Sequence, residues 1–197
     1  LGVWPAALGT LPAHDAQQLQ AQLYLSGARA RMREGASWCL DKSLHTWQWL
    51  PMIAAVLPGS VFLRMTRDPR DAAISMLLSN FHPRAFGWTS DLASIRRVMQ
   101  AERALVPRAL EVLGLRSAVC SYEDLVSDPV AAVSRCMNVM GLELQPACLT
   151  PEANARTVLT LSHAQVRAPI SKASIGRWRN YEFAFGEAWE SWDDRLG

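Results

Sequence analysis

The stretch from Val61 to Asn80 constrains the fold of this chain more than any other part of the sequence. An apolar run rich in strand-forming residues follows Pro58-Gly59 and ends at Arg67, and the apolar residues after it recur at helical spacing. The pattern predicts a strand, a tight turn and the start of a helix. Asp68 can cap that helix, and Pro69 at its first position loses no hydrogen bond, which leaves free N–H groups and a positive dipole end. Such an end attracts anions.

Two side chains make this turn a candidate phosphate site. Arg67 lies on the turn with a fixed charge and forked donors, and Ser75 follows about two helical turns later, where it can face the same side. The alternative is that Arg67 forms an ion pair with Asp71 one helical turn away and that Ser75 is a small residue facing the core. The residues alone leave both interpretations open.

A second candidate region surrounds Lys42. Trp38-Cys39-Leu40 is typical of a short buried strand, and the apolar spacing from Leu44 to Leu57 predicts a helix after it. Ligands of open α/β sheets bind beyond the carboxyl ends of strands, so Lys42 would lie at a binding edge. The alternative interpretation is that Lys42 is an ordinary solvated side chain. His45, about one helical turn further on, is either a catalytic base or a structural histidine.

The remaining elements predict an α/β fold with three layers, a small parallel sheet and helices on both faces. The whole chain, residues 1–197, is expected to form one domain that begins with a loop-like segment at residues 1–14.

Pro107 should kink or divide one long helix. Tyr122 directly follows a strand and can either stack on a purine or anchor a loop through its hydroxyl. Helices are predicted at residues 15–33, 91–113, from Asp128-Pro129 to Met140, and 185–196, a strand at 117–121, and a loop at 81–90.

Composition excludes several classes of protein. The net charge is +2, from 20 basic and 18 acidic residues, which argues against a nucleic-acid-binding protein. The sequence has no run of about 18 apolar residues that could span a membrane and no visible secretory signal. The four cysteines form no CxxC pair, so we expect buried free thiols, no metal site and a reducing, cytoplasmic location.

Four segments together resemble the sulfotransferases that use 3′-phosphoadenosine 5′-phosphosulfate. Arg-Asp-Pro-Arg-Asp with Ser75 resembles the 3′-phosphate-binding segment, and Asp41-Lys42, a helix and Leu-Pro-Gly precede it in the family's order. Tyr-Glu-Asp-Leu at 122–125 resembles a third segment. The stretch 162–182 resembles the C-terminal loop of tyrosylprotein sulfotransferases and of bacterial sulfotransferases that follow tetratricopeptide repeats. Together the matches run from about residue 38 to residue 182.

The resemblance implies a role for each candidate residue. Arg67 and Ser75 would hold the 3′-phosphate, Lys42 would donate to the leaving oxygen and the sulfuryl group, and His45 is the candidate base. Tyr122 would lie near the adenine, while Ser162 and Arg177 would complete the nucleotide site. Ser79 stands where the tyrosylprotein branch has a second phosphate-binding arginine, which is a departure from the family's pattern.

The family's Pro-x-Ser-Gly-Thr-Thr loop, which cradles the 5′-phosphosulfate, has no counterpart in this sequence. We therefore expect the C-terminal portion of a longer bacterial sulfotransferase with a P-loop-like fold, inactive alone and possessing the 3′-phosphate half of the site. Its partners would be the sulfated nucleotide and a hydroxyl-bearing acceptor, without a metal, and tetratricopeptide repeats could precede it. Two alternatives remain: a P-loop nucleotide kinase, which would need Mg²⁺ ligands and a lid, and a non-catalytic nucleotide-binding or interaction module, favoured by the missing loop and by tryptophans near the chain ends.

Overall fold

The computed structural model describes residues 12–153, 170–190 and Trp192. This part of the chain is mostly helical and contains a two-stranded parallel sheet. The chain divides into two compact units, one made of Leu1–Ser60 with Ala109–Leu115 and the other of Val61–Arg108 with Arg116–Gly197. The α-helices are α1 (Ala13–Arg29), α2 (Leu50–Val56), α3 (Pro69–Leu77), α4 (Pro83–Phe86), α5 (Leu92–Val112), α6 (Tyr122–Ser127), α7 (Pro129–Met140) and α8 (Glu187–Glu190).

The sheet belongs to the second unit. Strand β1 (Val61–Thr66) pairs in parallel with β2 (Arg116–Ser121), with Val61 opposite Arg116 and Thr66 opposite Ser121. Because the two strands end in register, the residues that follow them begin at the same edge of the sheet. That edge carries the residues of the candidate site.

The predicted strand, turn and helix around Arg67 are confirmed. The Asp68 side chain accepts hydrogen bonds from Arg70 N at 2.8 Å and Asp71 N at 3.2 Å, and Pro69 takes the first helical position of α3. A capping carboxylate of this kind stabilises a helix by about 1 kcal/mol. The turn after β1 is therefore fixed by its own sequence.

Two buried clusters hold the second unit together. Ala73 of α3, Ile95 of α5 and Trp189 of α8 form one of them, with Trp88 and Phe185 among the residues packed around it. Full burial of a side chain such as Ile95 stabilises the fold by roughly 1.5–3 kcal/mol. The other cluster joins Cys120 of β2 to Ala132 and Cys136 of α7, with Leu63 of β1 packed against it.

The strand predicted at Trp38–Leu40 is wrong. These residues have no regular secondary structure, and Trp38 and Leu40 are 44% and 81% exposed. An apolar run becomes a strand only where a neighbouring backbone pairs with it, and within the described residues β1 and β2 pair only with each other. The helix predicted from Leu44 onward is a 3-10 turn, Thr46–Trp49, followed by α2, and it ends before Pro58-Gly59 as expected.

The cysteine prediction is confirmed in part. All four cysteines are free thiols, and Cys120 and Cys136 are buried. Cys39 is exposed because the segment around it is not a buried strand, and Cys148 is half-buried.

Several boundaries differ from the predictions. Helix α1 begins at Ala13, so the last residues of the loop predicted at 1–14 belong to the helix. Residues 1–11 lie outside the described part. Pro107 does not divide α5, which runs from Leu92 to Val112. The predicted loop at 81–90 contains α4 and a 3-10 turn. Of the final helix predicted at 185–196, the structure describes α8.

Two tryptophans near the chain end were candidates for an exposed contact surface. Trp189 is instead buried, at 5% exposure, and its ring stacks on Trp192 with centroids 5.5 Å apart. Trp4 lies outside the described residues. In the described part of the chain, no helix has the length and apolar character needed to cross a membrane.

Candidate functional site

Arg67 lies at the turn between β1 and α3 and makes contacts to distant parts of the second unit. Its Nη2 donates to the carbonyl oxygen of Ser174, and its guanidinium carbon lies 4.8 Å from the centroid of the Tyr122 ring. Its Nε is buried and has no acceptor among the described residues. The guanidinium is thus held in place at the turn by a distant carbonyl and an aromatic ring.

The structure contradicts the ion-pair alternative for this turn. Asp71 is 2% exposed, and its carboxylate accepts from Gly176 N at 2.6 Å and Trp178 N at 2.8 Å. No ion pair joins it to Arg67 in the described part of the chain. The carboxylate therefore accepts hydrogen bonds from backbone amides that lie more than 100 residues later in the sequence.

Ser75 is exposed on α3, whereas Ala73 and Ile74 face the core. The interpretation of Ser75 as a core-facing residue is therefore wrong. Its carbonyl accepts a hydrogen bond from the Ser79 hydroxyl at 2.6 Å, which leaves the Ser75 side chain exposed on the helix that follows Arg67.

Tyr122 begins α6 directly after β2, at the sheet edge where Arg67 follows β1. Its hydroxyl donates to the carbonyl of Ser171 at 2.9 Å, so the structure shows the loop-anchoring alternative. The neighbouring Glu123 accepts from Asp68 N at 3.0 Å. The two strand-to-helix corners are therefore joined by a direct hydrogen bond.

Residues 170–184 form the segment that meets both corners. We call this segment the C-terminal loop. It contains two 3-10 turns, Lys172–Ser174 and Arg177–Ala184, separated at Gly176, whose φ is 70°. Trp178 is buried at 8% exposure, whereas Ile175 is 41% exposed, so Trp178 rather than Ile175 anchors the loop in the core.

The arginines around Trp178 differ in what they contact. The guanidinium carbon of Arg70 lies 3.6 Å from a Trp178 ring centroid, and that of Arg179 lies at 5.2 Å. Such cation–π contacts hold both side chains against the indole. Arg177, between Gly176 and Trp178 in the chain, is exposed. Ser162, the other residue predicted from this stretch, lies outside the described residues.

Arg64 of β1, a further arginine near the turn, is neutralised. Its Nε lies 3.4 Å from a carboxylate oxygen of Glu102 on α5, and its side chain is 11% exposed. Arg64 therefore contributes little free positive charge, and Arg67 is left as the cation directly at the turn.

Lys42 and His45 belong to the other compact unit. Lys42 is exposed and follows an irregular segment rather than a strand, so the structural reason for placing it at a strand end is lost. His45 is half-buried, and its Nδ1 lies 3.4 Å from Gln48 Nε2. We call residues 40–48 the Lys42 segment.

A hydrogen bond between Tyr24 and Asp41 connects this segment to α1. Asp41 accepts hydrogen bonds from the Tyr24 hydroxyl and from Ser43 Oγ, both at 2.9 Å. Burial first, and then the hydrogen bond and charge of Asp41, raise the pKa of Tyr24 to about 12. Asp41, the residue before Lys42, is thus restrained although Lys42 itself is exposed.

The structure adds Asp71 and Glu123 to the residues that shape the site. Sequence reasoning missed them because a hydrogen bond such as Asp71 to Trp178, 107 residues apart, leaves no local pattern. The described residues contain no group of three or more His, Cys, Asp or Glu side chains that could hold a metal ion.

Comparison with known proteins gives the family. The model of the sulfotransferase family matches residues 8–146, which include Lys42, Arg67, Ser75 and Tyr122. An uncharacterized protein of Aquifex aeolicus is 24% identical over 164 residues, which cover 82% of this chain and 21% of that protein, so the chain spans about a fifth of the relative's length. No solved structure matches. Because the family match covers well over half of the sequence, this chain belongs to the sulfotransferase family.

Proposed function

We propose that this protein transfers a sulfuryl group from 3′-phosphoadenosine 5′-phosphosulfate to a hydroxyl-bearing acceptor, with this chain supplying the part of the site that holds the 3′-phosphate. The observation that carries the proposal is the state of Arg67. Its guanidinium is restrained by the Ser174 carbonyl and the Tyr122 ring, and its buried Nε lacks an acceptor among the described residues. A guanidinium that is already restrained loses little freedom when it binds a phosphate, and charge-assisted hydrogen bonds to phosphate are stronger than neutral ones.

The other nucleotide contacts follow from exposure and chain position. Ser75 has an exposed side chain on the helix that Arg67 precedes, and Arg177 is exposed in the C-terminal loop. We assign both to the 3′-phosphate together with Arg67, and we assign Ser162 to the same site from the family resemblance. Tyr122 holds the C-terminal loop through its hydroxyl and remains a candidate contact for the adenine.

Lys42 and His45 are proposed to act in the transfer step. The acceptor oxygen forms a bond to sulfur as the bond between sulfur and the bridging phosphate oxygen breaks, and 3′-phosphoadenosine 5′-phosphate leaves. Lys42 would donate to that bridging oxygen as negative charge develops on it. His45 would take the proton of the acceptor hydroxyl. Sulfuryl transfer carries less negative charge than phosphoryl transfer, for which Mg²⁺ is usually recruited, so the proposed mechanism uses no metal.

We further propose a three-layer, P-loop-like fold for the complete sulfotransferase domain. The 5′-phosphosulfate loop of the family would come from sequence beyond these 197 residues, in a bacterial protein in which tetratricopeptide repeats could precede the chain. The chain alone should then bind the nucleotide weakly and show negligible turnover, while the full-length protein is active. Robust sulfation by the isolated chain would contradict this division of the site.

Calorimetric titration of the chain with three nucleotides tests the proposal. We expect 3′-phosphoadenosine 5′-phosphate and its 5′-phosphosulfate to bind, and adenosine 5′-phosphate to bind at least tenfold more weakly, a difference of about 1.4 kcal/mol. Equal binding of all three nucleotides would contradict a 3′-phosphate site. Preferential binding by the full-length protein without any turnover would instead support a non-catalytic nucleotide-binding module.

A further inference from the structure

The Asp71 carboxylate is buried, and the start of α3 does not need it. Asp71 is 2% exposed, and a buried charge is costly unless hydrogen bonds satisfy it. Asp68 already caps α3 by accepting from Arg70 N and Asp71 N. The hydrogen bonds that satisfy Asp71 come from elsewhere: Gly176 N and Trp178 N, 105 and 107 residues along the chain. The carboxylate therefore serves the C-terminal loop.

The two bonds surround one residue. Oδ2 of Asp71 accepts from Gly176 N at 2.6 Å, and Oδ1 accepts from Trp178 N at 2.8 Å. Gly176 has a left-handed φ of 70°, a conformation that allows neighbouring backbone N–H groups to converge on one anion. Arg177 is thus restrained on both sides, and the amides that could have bound an external anion are occupied by Asp71.

The arginines of this region divide into two groups. Arg70 and Arg179 contact the Trp178 ring, whereas the exposed Arg177 side chain makes no ring contact or ion pair with the described residues. A long side chain contributes most to binding when its backbone is already fixed, because less freedom is lost on contact with the ligand. Fixing the backbone at Arg177 would have this effect.

We propose that Asp71 is a positioning residue that presents Arg177 to the 3′-phosphate of the nucleotide. This inference rests on the proposed function, and it adds a residue that acts through the loop without touching the ligand. The loop's bonds from Tyr122 to Ser171 and from Arg67 to Ser174 lie upstream of Gly176, and the buried Trp178 ring anchors the loop in the core. Asp71 adds to these ties the bonds to the backbone N–H groups on either side of Arg177.

A double-mutant cycle tests the proposal. Asp71→Asn keeps the size of the side chain but turns its NH₂ group toward a backbone N–H, so one bond is lost. We expect the Kd for 3′-phosphoadenosine 5′-phosphate to rise roughly tenfold. In an Arg177→Ala background, the same change should alter the Kd by less than about twofold, because the side chain that Asp71 positions is gone.

Asp124→Asn is the matched control. Asp124 is an exposed carboxylate that pairs with Arg135 at 2.9 Å on the surface of the same unit, and its change should leave the Kd within about twofold of the wild-type value. If the increases in Kd caused by Asp71→Asn and by Arg177→Ala multiply in the double variant, the two residues act independently and the proposal is overturned. It is also overturned if neither change alters the Kd. A wild-type chain without preference for the 3′-phosphate would instead overturn the proposed function itself, and the inference with it.

Amide hydrogen exchange of the wild-type chain gives a second measurement, which decides if Asp71→Asn fails to fold. The amides of Gly176 and Trp178 should exchange at least about tenfold more slowly than the amide of Arg177 between them, because Asp71 protects only the outer two. Equally fast exchange at all three positions would show that the carboxylate does not restrain the loop and would overturn the proposal.

Discussion

The Arg67 turn and the Lys42 segment carry the two proposed halves of the chemistry, and they are built differently. The Arg67 turn is connected to distant sequence: Arg67 and Asp71 bond residues 105 to 107 positions away, and Tyr122 bonds one 49 positions away. In the Lys42 segment, Ser43, Thr46 and Gln48 bond residues two or three positions away, and the bond from Tyr24 to Asp41 spans 17 positions. Leu40 within that segment is 81% exposed.

The two regions differ in how far their side chains are held in place before a ligand binds. A phosphate contact gains affinity when the binding groups are ordered before the ligand arrives, and the Arg67 turn has that property. Lys42 itself is exposed, so we expect it to gain its orientation from the bound substrates. Substitutions at the Arg67 turn should therefore change nucleotide binding, and substitutions at the Lys42 segment should change turnover.

Arg67→Ala should produce the largest effect. Removing one partner of a desolvated charged contact typically costs about 2–5 kcal/mol, whereas a screened surface ion pair contributes roughly 1 kcal/mol or less. The variant should therefore lose the preference for 3′-phosphoadenosine 5′-phosphate over adenosine 5′-phosphate, as measured by calorimetric titration of both nucleotides. Arg135→Ala, at an exposed arginine paired with Asp124, is the control and should keep it. A preference unchanged within about threefold in Arg67→Ala would remove Arg67 from the site.

Lys42→Ala should reduce kcat by roughly 10²–10³ in the full-length protein, with little change in nucleotide Kd. The lysine is proposed to contact charge that develops only in the transition state, so its loss appears in kcat. Steady-state kinetics combined with nucleotide titration separates the two effects. Arg33→Ala removes another exposed cation of the same unit and should change neither quantity. A normal kcat with a raised KM in Lys42→Ala would mean that Lys42 only binds substrate.

Gly176→Ala should destabilise the C-terminal loop by about 1–2 kcal/mol, because its φ of 70° is unfavourable for a residue with a Cβ. That Cβ would also lie 2.1 Å from the end of the Arg179 side chain, which must move. Thermal unfolding measures the loss. Gly186→Ala is the matched control, since a Cβ there would meet no atom within 4 Å. Equal Tm values for the two variants would indicate that the loop adapts to a side chain at position 176.

Tyr24→Phe should have the smallest effect, roughly 1 kcal/mol or less, because Tyr24 is 43% exposed. The pKa of Tyr24 is raised to about 12, whereas an unfolded chain releases this proton near pH 10. Between these values the folded state binds more protons, so this contribution to stability is complete below about pH 10 and is lost as the pH rises toward 12.

Urea unfolding of the wild type and Tyr24→Phe from pH 9 to pH 12 checks this sign. The difference in unfolding free energy between the two proteins should shrink as the pH rises. A difference that stays constant with pH would mean that the bond to Asp41 is not formed in solution.

The sequence predicted the Arg67 turn because the turn is encoded locally. Pro58-Gly59 precedes the strand, Asp68 caps the helix and Pro69 starts it, and these signals act within a few residues. The exposed position of Ser75 was compatible with the phosphate interpretation, but the residues alone could not exclude a core-facing serine.

The sequence could not show that Trp38–Leu40 forms no strand, nor what Asp71 does, and the reason is shared. Both depend on what lies opposite in space. An apolar run does not show that a partner strand is missing, and an aspartate in the first turn of a helix suggests an ion pair with Arg67 as readily as bonds to Gly176 and Trp178. Tyr122 was predicted with two alternatives because its hydroxyl bond to Ser171 is likewise non-local.

The bonds from Asp71 to Gly176 and Trp178 also predict how relatives of this protein diverge. The carboxylate on α3 accepts from the N–H of the left-handed glycine of the C-terminal loop. Losing the carboxylate would leave unpaired amides, and a residue at 176 that cannot keep the left-handed φ would leave a buried charge. An aligned set of close relatives should therefore change positions 71 and 176 together. A chimera that receives a foreign C-terminal loop should fold well only when its donor's α3 is transferred with it.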